Sequence, residues 1–266
     1  MEGILLYVSV YSTHQDISKK ELQNKVVVVI DTLRATSTIV TALAQGCHQI
    51  FPVSTFNEAK ILSSSWPKQD IILGGEYKGY RFAQFLFGNS PCEYTKEVVQ
   101  GKTLFLVTTN GTVALQKATS ATKVIVASLL NGRAVADYLA HLDPAQVVFV
   151  CAGTQGQFCL EDTITAGKII YHLSEKEEVE GDELAIAALQ LYQLNRYQLM
   201  DLMKLTDHGQ RLIEQGFEKD LAYCLREDIF PLLPHLTFSR IRLMEQRVIT
   251  GMNDKVLHKH SSRQTS

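Results

Sequence analysis

Seven short runs of β-branched and other apolar residues recur along the chain, at 4–10, 26–30, 50–53, 70–73, 103–108, 123–127 and 146–151. Some are apolar at every position, as in Val26-Val27-Val28-Val29-Ile30. Such a strand has to be covered on both faces, which is the situation of a sheet buried between helices. The segments between them carry apolar residues at helical spacing, at 36–45, 57–63, 112–118, 132–141 and 162–173. The expected fold is α/β: three layers, α/β/α, around a largely parallel or mixed sheet.

The second part of the chain reads differently. Residues 174–182 are acidic and are expected to form a solvated connection. Helix formers then dominate 183–205. Thr206 or Asp207 can cap a further helix that stops at Gly216, and another is expected over 219–226. Residues 1–235 are read as one α/β unit, helix-rich from about 183. Residues 236–266, with six Lys/Arg against two Asp/Glu, read as a basic tail whose end is disordered.

Composition excludes several functions. A formal net charge of -2 is too small for an electrostatic binder of nucleic acid. No apolar run approaches the roughly 18 residues of a membrane span, and no basic region precedes the apolar N-terminal stretch as in a signal peptide. The five cysteines, Cys47, Cys92, Cys151, Cys159 and Cys224, are odd in number and widely spaced, with no Cys-x-x-Cys pair. They suit a reducing cytosol rather than a disulfide frame.

Three strand-to-helix junctions look alike: Ile30-Asp31-Thr32-Leu33-Arg34-Ala35-Thr36-Ser37, Val107-Thr108-Thr109-Asn110-Gly111-Thr112, and Cys151-Ala152-Gly153-Thr154 running on to Glu161-Asp162-Thr163. In α/β sheets ligands bind beyond the carboxyl ends of strands, and helix N-termini attract anions. If the three converge, Thr36, Ser37, Thr109, Asn110, Gly111, Thr112, Gly153 and Thr154 would line an anion cradle with Arg34 as its fixed cation. Asp31, Glu76, Glu161 and Asp162 are hard oxygen donors beside that cradle and suit Mg²⁺ together with substrate phosphate. The ligand is expected to be a small anion, and a homo-oligomer is compatible with this reading.

The same stretches resemble the 2-phosphosulfolactate phosphatases of coenzyme M biosynthesis. The resemblance runs in order through 29–40, Gly74-Gly75-Glu76, Gly88-Asn89-Ser90-Pro91, Thr108-Thr109-Asn110-Gly111-Thr112, Leu129-Leu130-Asn131, Cys151-Ala152-Gly153-Thr154, Leu160-Glu161-Asp162-Thr163, Ala166-Gly167, His208-Gly209, Gly216-Phe217-Glu218 and Asp220. It implies a Mg²⁺-dependent hydrolysis of (2R)-2-phospho-3-sulfolactate to 3-sulfolactate and phosphate, and it adds Asn89 and Ser90 to the substrate contacts. Asp31, Arg34 and Glu76 are the expected catalytic residues, with Asp31 as metal ligand, general base or nucleophile.

Four positions depart from the family pattern. Tyr77 and Gln157 stand where Arg is usual, and Leu86 and Gln155 where Asp is usual. Lys78, Arg81, Arg133 and Lys168 are the cations that could compensate. Cys151 lies six residues before position 157, the Cys-x₅-Arg spacing of thiol phosphatases, but Gln157 removes the cation that would favour a thiolate. A relative that binds a small phosphorylated metabolite without hydrolysing it, and a phosphatase for another small phosphate ester, are the alternatives. His208 reads as a surface helix residue or a distal site contact, the surface being favoured.

Overall fold

The structure is a computed structural model and describes residues 5–244. Its strands are β1 (Leu6–Tyr11), β2 (Val26–Ile30), β3 (Gln49–Val53), β4 (Ile71–Tyr77), β5 (Tyr80–Arg81), β6 (Thr103–Val107), β7 (Lys123–Ala127), β8 (Gln146–Cys151), β9 (Val179–Gly181), β10 (Pro234–Thr237) and β11 (Arg240–Leu243). The helices are α1 (Ala35–Ala44), α2 (Phe56–Ser63), α3 (Lys96–Val99), α4 (Gly111–Lys117), α5 (Gly132–Leu142), α6 (Leu160–Ser174), α7 (Glu183–Asn195), α8 (Leu199–Met203), α9 (Asp207–Glu214) and α10 (Glu218–Cys224).

All the strands join one mixed sheet in the order β5-β4-β6-β3-β11-β10-β7-β2-β8-β1-β9. Two parallel sets, β4-β6-β3 and β7-β2-β8-β1-β9, are joined through the antiparallel hairpin β10–β11. Alternation along β2 shows the layers. Val27 and Val29 point into a core shared with α1 and α4, whereas Val28 and Ile30 point into one shared with α5 and α6. A third cluster joins Leu33 and Leu129 to Tyr192, Leu199, Met203, Leu212 and Leu221, and so docks the C-terminal helices over the carboxyl end of β2.

Two expectations need correction. Residues 236–243, assigned to a tail, lie in the middle of the sheet, where Leu236 and Ile241 are buried. Their short alternation of Arg240, Ile241, Arg242 and Leu243 has a two-residue period in which Ile241 is buried and Leu243 is exposed. The acidic connection at 174–182 contains edge strand β9, and its last residue, Asp182, caps α7 by accepting from Ala185 N–H at 2.8 Å. The expected disorder of the last ten residues lies outside the described residues. Among the described residues no helix is long and apolar enough to cross a membrane.

Candidate active site

A cavity of about 390 Å³ opens where the carboxyl ends of β2, β4 and β6 meet the loop after β8 and helix α9. Its wall brings together Asp31, Arg34, Glu76, Asn89, Thr109, Asn110 and Thr154 from the expected set. It also includes Lys78, Gln155, His208, Arg211 and Gln215. The three junctions therefore do converge, at the carboxyl ends of strands from both parallel sets.

Asp31 ends β2. Its Oδ1 accepts the Ala35 N–H at 3.0 Å, so the carboxylate caps α1. Burial pushes its pKa from 3.8 up to about 6; the α1 N–H and His208 act against this rise, and Glu76 and Glu161 add to it. Close approach makes this corner possible. A Cβ on Gly111 would lie 2.5 Å from both Asp31 Oδ2 and Ala35 Cβ. Only a residue without a side chain lets α4 begin here.

Glu76 is the penultimate residue of β4 and is buried. It accepts from Gly79 N–H at 2.6 Å, Thr109 N–H at 2.7 Å and Thr109 Oγ1 at 3.0 Å. These bonds tie the β4–β5 turn to the β6–α4 loop.

Arg34 follows a cis Leu33–Arg34 peptide. Its Nη1 donates to Asp220 Oδ2 at 2.6 Å, and both side chains are 4% exposed. Its guanidinium lies 4.1 Å over the Phe217 ring. Asp220 also accepts from Ser90 Oγ at 2.6 Å, so Ser90 holds the partner of Arg34 and does not line the cavity. Asn89 does line it, and its buried Oδ1 has no hydrogen-bond partner.

The four expected metal ligands are not gathered together. Asp31 and Glu76 face the cavity. Glu161 and Asp162 lie outside its wall, and Asp162 accepts from Thr32 N–H at 2.7 Å and Gly153 N–H at 3.2 Å. Burial, with Asp31 and Glu161 nearby, pushes its carboxyl well up. Glu161 is 2% exposed and contacts His208 Nδ1 at 2.6 Å. Among the described residues no group of three His, Cys, Asp or Glu is arranged to hold a metal.

Several junction hydroxyls, expected to meet a ligand, bond their own backbone. Thr36 Oγ1 donates to Asp31 O at 2.8 Å, Ser37 Oγ to Thr32 O at 2.8 Å, and Thr112 Oγ1 to Thr108 O at 3.0 Å. Gly153 shapes its turn at φ +70, where a Cβ would meet Gln157 O at 2.7 Å. Cys151 is fully buried, and burial pushes its thiol well up, so it is not poised as a nucleophile.

A family model described as 2-phosphosulpholactate phosphatase matches residues 11–238. The chain belongs to this family. The 2-phosphosulpholactate phosphatases are phosphoric monoester hydrolases by their name. Curated relatives named "Probable 2-phosphosulfolactate phosphatase" include one from Caldanaerobacter subterraneus subsp. tengcongensis. It is 41% identical over 237 residues, covering 89% of this chain and 98% of its own. One from Clostridium acetobutylicum is 42% identical, covering 85% and 95%. One from Synechocystis is 42% identical, covering 78% and 87%.

In this member of the 2-phosphosulpholactate phosphatases the departing positions sit mostly away from the cavity. Tyr77 and Leu86 are 57% and 80% exposed and outside its wall, and Gln157 is also outside; only Gln155 lines it. Of the four compensating cations, Lys78 lines the cavity. Lys168 is buried against Glu227 and Asp228, Arg133 pairs with Glu175, and Arg81 donates to Leu86 O. Arg211, in α9, is a further cation in the wall. Arg211 carried no local signal of a site, and His208 and Asp220 were singled out only by the family resemblance. They lie on a surface-like helical segment far along the chain, and tertiary packing alone brings them to the β2 junction.

Proposed function

We propose that the protein is a Mg²⁺-dependent phosphatase that hydrolyses (2R)-2-phospho-3-sulfolactate to 3-sulfolactate and phosphate. The observation that carries this reading is one cavity holding two carboxylates, Asp31 and Glu76, among three cations, Arg34, Lys78 and Arg211. A substrate with phosphate, sulfonate and carboxylate on three carbons needs several cations close together, and about 390 Å³ suits a ligand of that size.

The donor set fits Mg²⁺. Asp31 is pushed up to about 6 by burial, with Glu76 and Glu161 beside it, and no cationic side chain forms an ion pair with it among the described residues. A divalent cation relieves that situation, and Mg²⁺ commonly takes one or two carboxylates plus substrate phosphate oxygens. Asp31 and Glu76 would hold it. When bound, Mg²⁺ supplies charge neutralisation at the phosphoryl oxygens.

The chain's own groups supply the rest. Arg34 has five N–H donors, and the ion pair to Asp220 uses Nη1. The others can meet equatorial phosphoryl oxygens as charge spreads over them in the transition state. The Asn89 amide can turn its NH₂ toward the same oxygens. Lys78 and Arg211 are placed for the remaining anionic groups. A reducing compartment goes with this reading, since all five cysteines are free thiols and four are buried.

The test is phosphate release from 2-phosphosulfolactate against a panel of small phosphate esters. Preferred turnover of 2-phosphosulfolactate is expected. Preference for another ester would change the substrate. Ligand-induced thermal stabilisation without any turnover would leave a binding protein.

A further inference from the structure

The leaving oxygen of an alkyl phosphate is a poor leaving group, because a departing alkoxide is strongly basic. Hydrolysis therefore gains from a proton delivered to that oxygen as the P–O bond breaks. None of Asp31, Glu76, Arg34, Lys78 or Arg211 has been given that task. We infer that His208, oriented by the buried Glu161, is the general acid that protonates the leaving oxygen. This rests on the phosphatase reading above.

The geometry is that of a held imidazole. His208 lies in the first turn of α9 and lines the cavity. Its Nδ1 is 2.6 Å from Glu161 Oε1 and 3.2 Å from Thr154 Oγ1. Those contacts occupy one ring nitrogen and fix the ring plane. Nε2 has no hydrogen-bond partner among the described residues, and it is the nitrogen left for a ligand. Glu161 is anchored in the first turn of α6 and is 2% exposed, so the ring is aimed from a rigid element. A carboxylate holding one nitrogen of an imidazole while the other works on substrate is a recurring catalytic arrangement.

The electrostatic surroundings agree. His208 shares its cavity wall with the charged groups Asp31, Arg34, Glu76, Lys78 and Arg211, and Glu161 and Asp207 flank it on the side of α6 and α9. Asp31 and His208 line the same cavity, with no hydrogen bond between them among the described residues. His208 thus sits beside the carboxylate proposed to hold the metal without bonding to it.

The step balances as follows. The P–O bond breaks and its electron pair stays on the leaving oxygen, which takes the Nε2 proton and departs as the alcohol. Water adds to phosphorus, and its surplus proton returns the imidazole to its starting state by way of solvent. One water is consumed, and alcohol and hydrogen phosphate are formed. Glu161 is a positioning residue in this scheme, since it acts through His208.

The test is leaving-group dependence. Wild type, His208→Asn and Glu161→Gln are compared on 2-phosphosulfolactate and on p-nitrophenyl phosphate, whose phenolate departs without a proton. General acid catalysis is typically worth about 10²–10⁴-fold. His208→Asn is therefore expected to lose about 100-fold or more in kcat on the alkyl ester, and the aryl-to-alkyl ratio of kcat to rise by about the same factor. Glu161→Gln is expected to raise that ratio in the same direction by a smaller factor. Equal losses on both esters would assign His208 to binding or structure and overturn the proposal, as would no loss at all. If wild type ignores 2-phosphosulfolactate but cleaves glycerol 2-phosphate, the substrate reading fails and the same ratio is measured on that ester. No hydrolysis of any ester by wild type would overturn both.

Discussion

Arg34 and Asp220, 186 residues apart in sequence, form a 2.6 Å ion pair in which each side chain is 4% exposed. The cation of the β2 junction is thus not a free charge. It is fixed by α10, held against Phe217, and shares its partner with Ser90.

Removing one member of such a pair leaves the other buried and uncompensated, at a cost of about 3–5 kcal/mol. Arg34→Ala is expected to lose both turnover and that much stability in urea denaturation. The double variant Arg34→Met/Asp220→Leu is expected to recover much of the stability and none of the turnover. Wild-type turnover in Arg34→Ala would remove Arg34 from the site.

Asp31 gives a pH dependence with a definite sign. Its pKa is about 6 in the folded protein against 3.8 as a free carboxyl. The folded state binds this proton more tightly than the unfolded state, so the contribution to stability falls as pH rises from about 4 through about 6. Above that window the ionised carboxylate costs about 3 kcal/mol. In metal-free buffer Asp31→Asn is therefore expected to be more stable than wild type at pH 8. The gain should shrink as pH is lowered toward 4, while turnover is absent throughout. A variant less stable than wild type at pH 8 would contradict this.

The Gly111 corner is tested by one methyl group. In Gly111→Ala the new Cβ would lie 2.5 Å from Asp31 Oδ2 and from Ala35 Cβ. Overpacking of this kind costs about 1–3 kcal/mol. The shift of the two helix starts is expected to lower kcat at least tenfold, read by phosphate release alongside a thermal melt.

Cys151 gives the opposite expectation. The side chain is fully buried in the second core, so Cys151→Ala is expected to keep its turnover within about twofold and to lose about 1 kcal/mol of stability. Loss of turnover with the fold intact would restore a thiol mechanism.

The β2, β7 and β8 strands were legible to the residue because an unbroken apolar run, led in β7 and β8 by one polar residue (Lys123, Gln146), has few alternatives to a buried strand. The hairpin β10–β11 was not, since its strands are four residues each and carry Arg240 and Arg242 on one face. Asp31, Arg34 and Glu76 were expected beside a ligand because they stand at or shortly after strand ends, and all three line the cavity. The hydroxyls of Thr36, Ser37 and Thr112 were assigned to substrate for the same reason, but a hydroxyl in the first turn of a helix can bond a carbonyl four or five residues back. The roles of His208 and Asp220, positions that only the family resemblance singled out, were hidden for another reason. Nothing in an amphipathic helix says which polar residue will face a distant junction, and only the packing of Leu212 and Leu221 against Leu33 decides it.

The most direct measurement is phosphate release from 2-phosphosulfolactate by the purified full chain, before and after EDTA, and again after Mg²⁺ is added back. Turnover that EDTA abolishes and Mg²⁺ restores, and that Asp31→Asn lacks under every condition, is the expected result. Turnover that persists undiminished in EDTA, or in Asp31→Asn, would contradict a metal-assisted phosphatase built on the Asp31–Glu76 cavity.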